Sequence, residues 1–519
     1  MAAAPTISPT PSGSRETGAR NPGTDLAKTG RWGVVAVVAV LAAGIALRLT
    51  ARSALWLDEA LTVNLAHLPL RDLHGALRRD GAPPLYYLLL HGWTEVFGTG
   101  NLAVRSLSAV FGVATLPLMA KAGRRLGGSV VGLGAVVLLG ASPFAIRYAT
   151  EARMYTLVAL IVTAGWLVLR RALERGRTID LVALGALSGA LLLTHYWGFY
   201  LVGVLAVALA VKKRWVALAA IVIGAVVCFG PWLPTFLYQR AHTGTPWGTA
   251  PGPVEVAFTT LVDLGGGPYP EGQALAGLLA GLVILGLAGR AVDERRIELD
   301  LRTRPGVRPE LVIGAVSLLI AVAVGTATGS AFASRYTSIA FPLVILAAAF
   351  GLRSFADRRV VAVVLAVASV LGLVGGVRNA VYQRTQAPAV AAAIEANGGR
   401  PGDTVVYCPD QLGPDVSRLL PGGYQQATFP DFADPRIVDW VDYGRRMAAA
   451  DPVAFAAEIQ RRAAGRNIWY VWMPGYRTLD KQCERLNDAL ANGRPGNRQL
   501  LDPDKSVFER QVLWLHPPA

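Results

Sequence analysis

Apolar runs long enough to cross a bilayer recur from Trp32 to Val377, and this repetition restricts the chain more than any single motif does. Lipid offers no partner to a backbone N–H or C=O. Such segments must therefore be helices that close their own hydrogen bonds, each spanning with about 20 residues. Eleven spans are expected, over 32–49, 102–120, 129–146, 154–170, 179–194, 197–211, 215–238, 272–289, 310–329, 336–352 and 360–377. Charged residues make up 16% of the chain, against about a quarter in soluble proteins.

The net charge of +15 would suit nucleic acid if the cations formed one stripe. Instead they fall in short loops between apolar runs: Lys121, Arg124 and Arg125; Arg170, Arg171, Arg175 and Arg177; Lys212, Lys213 and Arg214; Arg290, Arg295, Arg296, Arg302, Arg304 and Arg308; Arg353, Arg358 and Arg359. All these groups share one side if the N-terminus is cytoplasmic, as the positive-inside rule requires, and membrane lipid rather than nucleic acid is the expected partner. The region after Val377 then lies outside. Segment 84–97 is read as an interfacial helix, because counting it as a span would invert every later loop. Pro83 and Pro84 suit its start, and Tyr86, Tyr87 and Trp93 suit headgroup level. Residues 1–31, with much Pro, Ser, Gly and Thr, read as a disordered cytoplasmic tail. The run after them lacks a small-residue cleavage pattern and reads as a retained span of a multi-pass plasma-membrane protein.

This topology collects chemistry on the outer face. The first outer loop holds Asp58, Glu59, His67, His74 and Asp80. The string RYATEARMY supplies Arg147, Tyr148, Glu151, Arg153 and Tyr155. THYW supplies His195, Tyr196 and Trp197, and SRY supplies Ser334, Arg335 and Tyr336. Each has an ordinary reading alone: an interfacial Arg, a capping His, a local ion pair. Together, carboxylates opposite arginines on the side where the sidedness rule disfavours cations point to a phosphorylated or otherwise anionic ligand. A carboxylate there can take a proton from a hydroxyl, while guanidinium groups stabilise charge on a leaving phosphate. A lipid-anchored phosphate fits, its tail between helices and its head at the interface. No Ser–His–Asp signature, Walker loop or dinucleotide fingerprint accompanies these residues. No cofactor is obligatory; a divalent cation beside Asp58 and Glu59 is left open.

Residues 380–519 differ in composition and read as an α/β domain with its own core. TVVYC at 404–408, NIWYVWM at 467–473 and VFERQVLWLH at 507–516 are strand-like. AFAAEIQRRAAG at 454–465 and a charged segment at 479–491 are helix-like. Trp469, Tyr470 and Trp472 are candidates for a sugar platform, though alternation sends some of them to the core. Cys408 and Cys483 could pair on the outer side.

WLDEA at Trp56–Ala60, PPLYYLL at Pro83–Leu89, YATEARMY at Tyr148–Tyr155, THYW at Thr194–Trp197 and SRY at Ser334–Tyr336 resemble the GT-C glycosyltransferase superfamily. The likeness is strongest to the branch of protein O-mannosyltransferases and lipid A aminoarabinose transferases, and its alternation of spans covers roughly 32–377. The resemblance implies a GT-C transmembrane catalytic domain over 32–379 and an extracytoplasmic α/β domain over 380–519. It implies an inverting transfer from a polyprenyl-phosphate-linked sugar to an extracytoplasmic acceptor. Asp58 takes the place of the catalytic acid, with Glu59 the runner-up base. Arg153 and Arg335 would meet the donor phosphate; Arg147, Glu151, His195, Tyr196 and Tyr336 would complete the donor site. Relatives often carry His before the paired prolines, where this chain has Ala82, so that contact must come from elsewhere, Asp80 being one source. Arabinofuranose and mannose are the favoured sugars, and the acceptor is a glycan, glycolipid or protein of the cell envelope. Two rivals stay open: a transporter of a lipid-linked or anionic envelope precursor, and a non-catalytic assembly protein.

Overall fold

The computed structural model describes residues 23–244, 248, 252–303, 306–476 and 479–518, with side chains from residue 31 onward. Most of the tail expected over 1–31 therefore lies outside the described residues. Helices dominate the described residues from Gly23 to Val381, followed by a mixed sheet covered by helices. The result is a polytopic helical membrane protein with a C-terminal α/β domain.

Among the described residues, seven helices are long and apolar enough to cross a bilayer: Arg31–Arg48, Asn101–Gly127, Tyr155–Arg175, Trp215–His242, Pro270–Ala288, Arg308–Thr328 and Arg358–Val381. An eighth results if Ser129–Ala141 and Pro143–Ala149, bent by 55°, count as one span. The expected eleven is thus too many. Thr178–Thr194, Gly198–Val211 and Phe341–Ser354 are apolar helices of fewer than 18 residues, which hydropathy alone does not separate from full spans.

The 55° bend has a local cause. Pro143 lacks an N–H and cannot continue the ladder, and Ser142 Oγ restarts it by accepting from Ala145 N. The loosened carbonyls of Leu139 and Gly140 accept from the buried Arg48 guanidinium at 2.7 and 2.8 Å. The bend turns the short helix carrying Arg147 toward the C-terminal domain's end of the bundle. Elsewhere small residues let helices close up: a Cβ on Gly224 would stand 2.1 Å from Gly185 O, the close backbone approach typical of membrane helix pairs.

Between the first two long spans lie the short helices Leu57–Ala66, Leu70–Asp80 and Leu85–Phe97. The last confirms segment 84–97 as a short helix outside the spanning set. Its tyrosines do not face headgroups, however. Tyr86 and Tyr87 are fully buried, Tyr86 OH bonding Ser108 Oγ and Tyr87 OH donating to Asp80. A buried Tyr needs a partner for its hydroxyl, and the neighbouring helices supply both.

The described strands are β1 (Gly289–Ala291), β2 (Ile297–Leu299), β3 (Thr404–Cys408), β4 (Gln425–Thr428), β5 (Ile468–Trp472), β6 (Arg498–Leu501) and β7 (Val512–His516). β1 and β2 form a small hairpin. The C-terminal sheet has the order β4-β3-β5-β7-β6, with β3 parallel to β4 and β5 and with β7 antiparallel to β5 and β6. The strand expected over 507–516 is confined to its last five residues. Helices such as Ala387–Ala396 and Pro452–Ala463 bury β3 and β5 on both faces, so these strands read as continuous apolar runs. Trp469 and Tyr470 are therefore core, and no sugar platform forms from them. Cys408 and Cys483 are joined in a disulfide that ties the end of β3 to the helix Gln482–Asn492.

Candidate active site

The two acids of WLDEA are successive residues of the Leu57–Ala66 helix, about 100° apart around its axis, so they look in different directions. Glu59 looks inward and its side chain is 0% exposed. Arg105 clasps it with Nε to Oε1 at 2.7 Å and Nη2 to Oε2 at 2.6 Å. Ala152 N donates to Oε1 at 3.0 Å, and Arg384 Nη1 stands 3.4 Å from Oε2. The paired geometry is what makes a buried ionised carboxylate tolerable. Burial alone would raise its pKa, but Arg105 first and then Arg384 outweigh that and hold it below the usual carboxylate range. Every direction of approach is occupied. The geometry is that of an anchor joining three segments, and it leaves a reacting hydroxyl no access to Glu59.

Asp58 looks the other way, its side chain 19% exposed. Arg335 Nη2 stands 3.2 Å from Asp58 Oδ2 and Arg153 Nη2 stands 3.9 Å away. Arg335 comes from the short 3₁₀ helix Ser334–Ile339, and Arg153 from the turn after the bent helix. Thr62, one turn after Asp58, accepts from Arg153 Nη1 at 2.7 Å and donates to the Asp58 backbone carbonyl. Asp80 ends its helix nearby and accepts from Tyr87 OH at 3.0 Å. Burial raises Asp80 to about 6 despite the Arg153 charge. The sequence did flag Asp80, though not as a site residue.

The remaining expected residues divide. Glu151 is buried between Arg147 Nε at 3.4 Å and Arg384 Nη1 at 3.8 Å, on the Glu59 side, so Arg147 and Glu151 belong to the anchoring network. His195 is buried, its ring 5.9 Å from Tyr155 and 5.4 Å from Tyr336. Its Nδ1 accepts from Trp197 N at 3.1 Å, so in the neutral ring the proton sits on Nε2. Burial first, then Arg153 and Arg335, push its pKa down to about 3. Tyr336 packs beside Arg335 and Trp197. Tyr196 is not brought to Asp58: it lies among Phe199, Phe229 and Phe236, accepts from Trp232 Nε1 and donates to Gln239. Gln239 in turn donates to Leu77 O and Ala82 O, steadying the turn after Asp80.

Sequence reasoning missed Arg105 and Arg384. Arg105 had a signal, since a cation within an apolar helix implies a buried partner. Arg384 had none, because its partners are reached only through the fold. Among the described residues no three acidic, His or Cys side chains are grouped so as to hold a metal ion. With both Glu59 oxygens held by Arg105, Asp58 and Glu59 do not present two carboxylates to one ion.

The site thus offers one partly exposed carboxylate facing two guanidinium groups, beside a neutral imidazole. A family model described as dolichyl-phosphate-mannose-protein mannosyltransferase matches residues 81–238. The apo structure of ArnT from Cupriavidus metallidurans superposes with a TM-score of 0.62 at 16% identity, covering 94% of this chain and 98% of that one. The chain has the GT-C glycosyltransferase fold. The same ArnT bound to undecaprenyl phosphate gives a TM-score of 0.59 at 15% identity, covering 93% and 98%. The arabinofuranosyltransferase AftD from Mycobacteria gives 0.55 at 15% identity, over 94% of this chain and 40% of that one. No curated protein matches the chain by sequence.

Proposed function

We propose that the chain is an inverting glycosyltransferase. It moves a sugar, arabinofuranose or mannose, from a polyprenyl-phosphate donor to a hydroxyl of a cell-envelope glycan, glycolipid or protein outside the plasma membrane. The observation that carries this reading is the placement of Asp58 opposite Arg335 and Arg153. An arriving donor phosphate competes for Arg335 and releases Asp58 as base. The acceptor O–H gives its proton to Asp58 while its oxygen bonds the anomeric carbon. The bond from that carbon to the phosphate oxygen breaks, and its electron pair leaves with the lipid phosphate toward Arg335 and Arg153. Phosphate departs readily, so orientation and charge stabilisation supply the rate.

An apolar cavity of about 400 Å³ supports a lipid donor. It is lined by Ile161, Leu191 and Leu201 and extends to Arg170, Lys212 and Glu310, and Ile161 is about 9 Å along its helix from Tyr155. Undecaprenyl phosphate binding by the superposable ArnT agrees. For sidedness, the disulfide suits an oxidising compartment for the C-terminal domain. The Arg170–Glu310 pair and Lys212 lie at helix ends remote from Asp58, as expected of a cytoplasmic face.

The test is incubation of the protein in lipid nanodiscs with polyprenyl-phosphate arabinofuranose and mannose donors and cell-envelope acceptors, followed by linkage analysis. The expected product has inverted anomeric configuration and disappears in Asp58→Asn. Absence of transfer with every donor, or full turnover by Asp58→Asn, overturns the reading.

A further inference from the structure

The helix carrying Asp58 begins without a cap of its own: Trp56 makes no side-chain bond to the first turn. The first N–H groups of a helix need outside partners, and here the partner comes from the far end of the chain. Leu57 N donates to Glu509 Oε1 at 2.9 Å. Phe508 packs edge-on against Trp56, ring centroids 5.4 Å apart. Glu509 is itself fixed, its N donating to Arg384 O and its carbonyl accepting from Gln386 N. Arg384 reaches on to Glu59 and to Thr150 O. One short segment of the C-terminal domain therefore grips the residue before Asp58 and, through Arg384, the acid after it.

We infer that Glu509 is a positioning residue for Asp58: it caps the helix from the C-terminal domain, and so fixes the Asp58 carboxylate against Arg153 and Arg335. The inference rests on the reading of Asp58 as the base.

The surroundings of Glu509 give this cap a signature that ordinary packing lacks. It is buried near Asp415, whose Oδ2 accepts from Thr385 Oγ1 at 2.5 Å and Gln511 Nε2 at 3.0 Å. Burial raises both acids, Asp415 to about 6 and Glu509 well above the ordinary carboxylate range, with Asp415 and Asp58 adding to the effect on Glu509. The cations nearby are Arg384, directed at Glu59 and Glu151, and Arg510, which is exposed. Neighbouring buried carboxyls resist ionising together. Glu509 works as a cap while neutral. As pH rises through its elevated pKa, a further negative charge enters the cluster with Asp415 and Asp58, and the grip on the helix loosens.

The experiment compares wild type, Glu509→Ala and Glu509→Gln in nanodiscs, using whichever polyprenyl-phosphate sugar, arabinofuranose or mannose, wild type transfers. Because a misplacement of about 1 Å costs on the order of 100-fold in rate, Glu509→Ala is expected to lose at least about tenfold in kcat with donor KM little changed. Glu509→Gln keeps an oxygen acceptor for Leu57 N and is expected to stay near wild-type kcat at neutral pH. It should also lose the alkaline fall in kcat expected of wild type. Wild-type kcat in Glu509→Ala, or an unchanged alkaline limb in Glu509→Gln, overturns the inference. If Glu509→Ala fails to fold, the pH profile of Glu509→Gln decides. Wild type that transfers nothing defeats the glycosyltransferase reading; wild type that transfers beside an unaffected Glu509→Ala defeats this inference alone.

Discussion

Arg335 Nη2 stands 3.2 Å from Asp58 Oδ2, although three long helices, Trp215–His242, Pro270–Ala288 and Arg308–Thr328, separate Arg335 from the rest of the site in sequence. The neighbouring acid, Glu59, has no access to that guanidinium, because Arg105 and Arg384 enclose it. Adjacent carboxylates thus stand in separate surroundings, Glu59 enclosed by Arg105 and Arg384 and Asp58 facing Arg335 and Arg153.

Asp58→Asn should leave the thermal unfolding temperature and donor binding nearly unchanged. It should lower turnover by about 100-fold or more, the usual range for losing a general base. Single-turnover transfer assays with saturating donor test this; turnover near wild type removes Asp58 from the base role.

Glu59→Gln should act on stability first. Breaking a buried pair by altering one partner costs about 3–5 kcal/mol, and Arg105 and Arg384 both depend on this carboxylate. Thermal unfolding in detergent should show a clear drop, and the folded fraction should still bind donor. An unfolding temperature equal to wild type contradicts the anchoring role.

Arg335→Ala should weaken the donor about 10- to 100-fold, read as KM or direct affinity, because a hydrogen bond to a charged group contributes about 1.5–3 kcal/mol. Arg335→Lys should restore only part of this, since an ammonium cannot reproduce the planar fork. Equal donor affinity in all three proteins argues against phosphate recognition at this residue.

Asp410 provides a pH test in the C-terminal domain. It is buried against Tyr443, whose hydroxyl donates to it at 2.6 Å, and burial raises its pKa to about 7. The folded state therefore holds a proton that the unfolded state gives up at lower pH. This contribution to stability is complete below the ordinary carboxylate pKa and is lost as pH rises through about 7. Unfolding temperature should fall between mildly acidic and mildly alkaline buffer, and Asp410→Asn should flatten part of that slope. Asp80, Asp415 and Glu509, also raised, add to the slope in the same sense. A slope identical to wild type in Asp410→Asn refutes the assignment.

Sidedness is open to labelling with a membrane-impermeant thiol reagent in a Cys228→Ala background. A cysteine at Asn397 should react in intact cells and one at Asp300 only after permeabilisation. The reverse pattern would invert the proposed orientation.

Much of the architecture is legible in order along the chain. The apolar runs locate the helices because lipid forces backbone hydrogen bonds inside each segment. The charge bias of the loops keeps 84–97 out of the spanning set, in agreement with the short helix Leu85–Phe97. Span length is less legible. Thr178–Thr194 and Gly198–Val211 are as apolar as true spans, and only their termination at His195 and Lys212 shows them to be short. β4 and β6 escaped notice because they are four-residue edge strands with polar residues, Gln425–Thr428 and Arg498–Leu501, whose pairing depends on neighbours far along the chain.

The sequence by itself determined that the chain is a bundle of lipid-facing helices with a separate α/β domain, and that acids and arginines gather at one end of it. Those properties follow from hydrophobicity and charge, which act locally. Only the tertiary structure decided that Asp58 faces Arg335 and Arg153 while Glu59 is enclosed, that Tyr196 bonds Gln239 and Trp232, and that Glu509 grips the helix carrying Asp58. Each of these depends on the direction of a side chain and on a partner brought from a distant segment, and neither is encoded in the spacing of residues along a line.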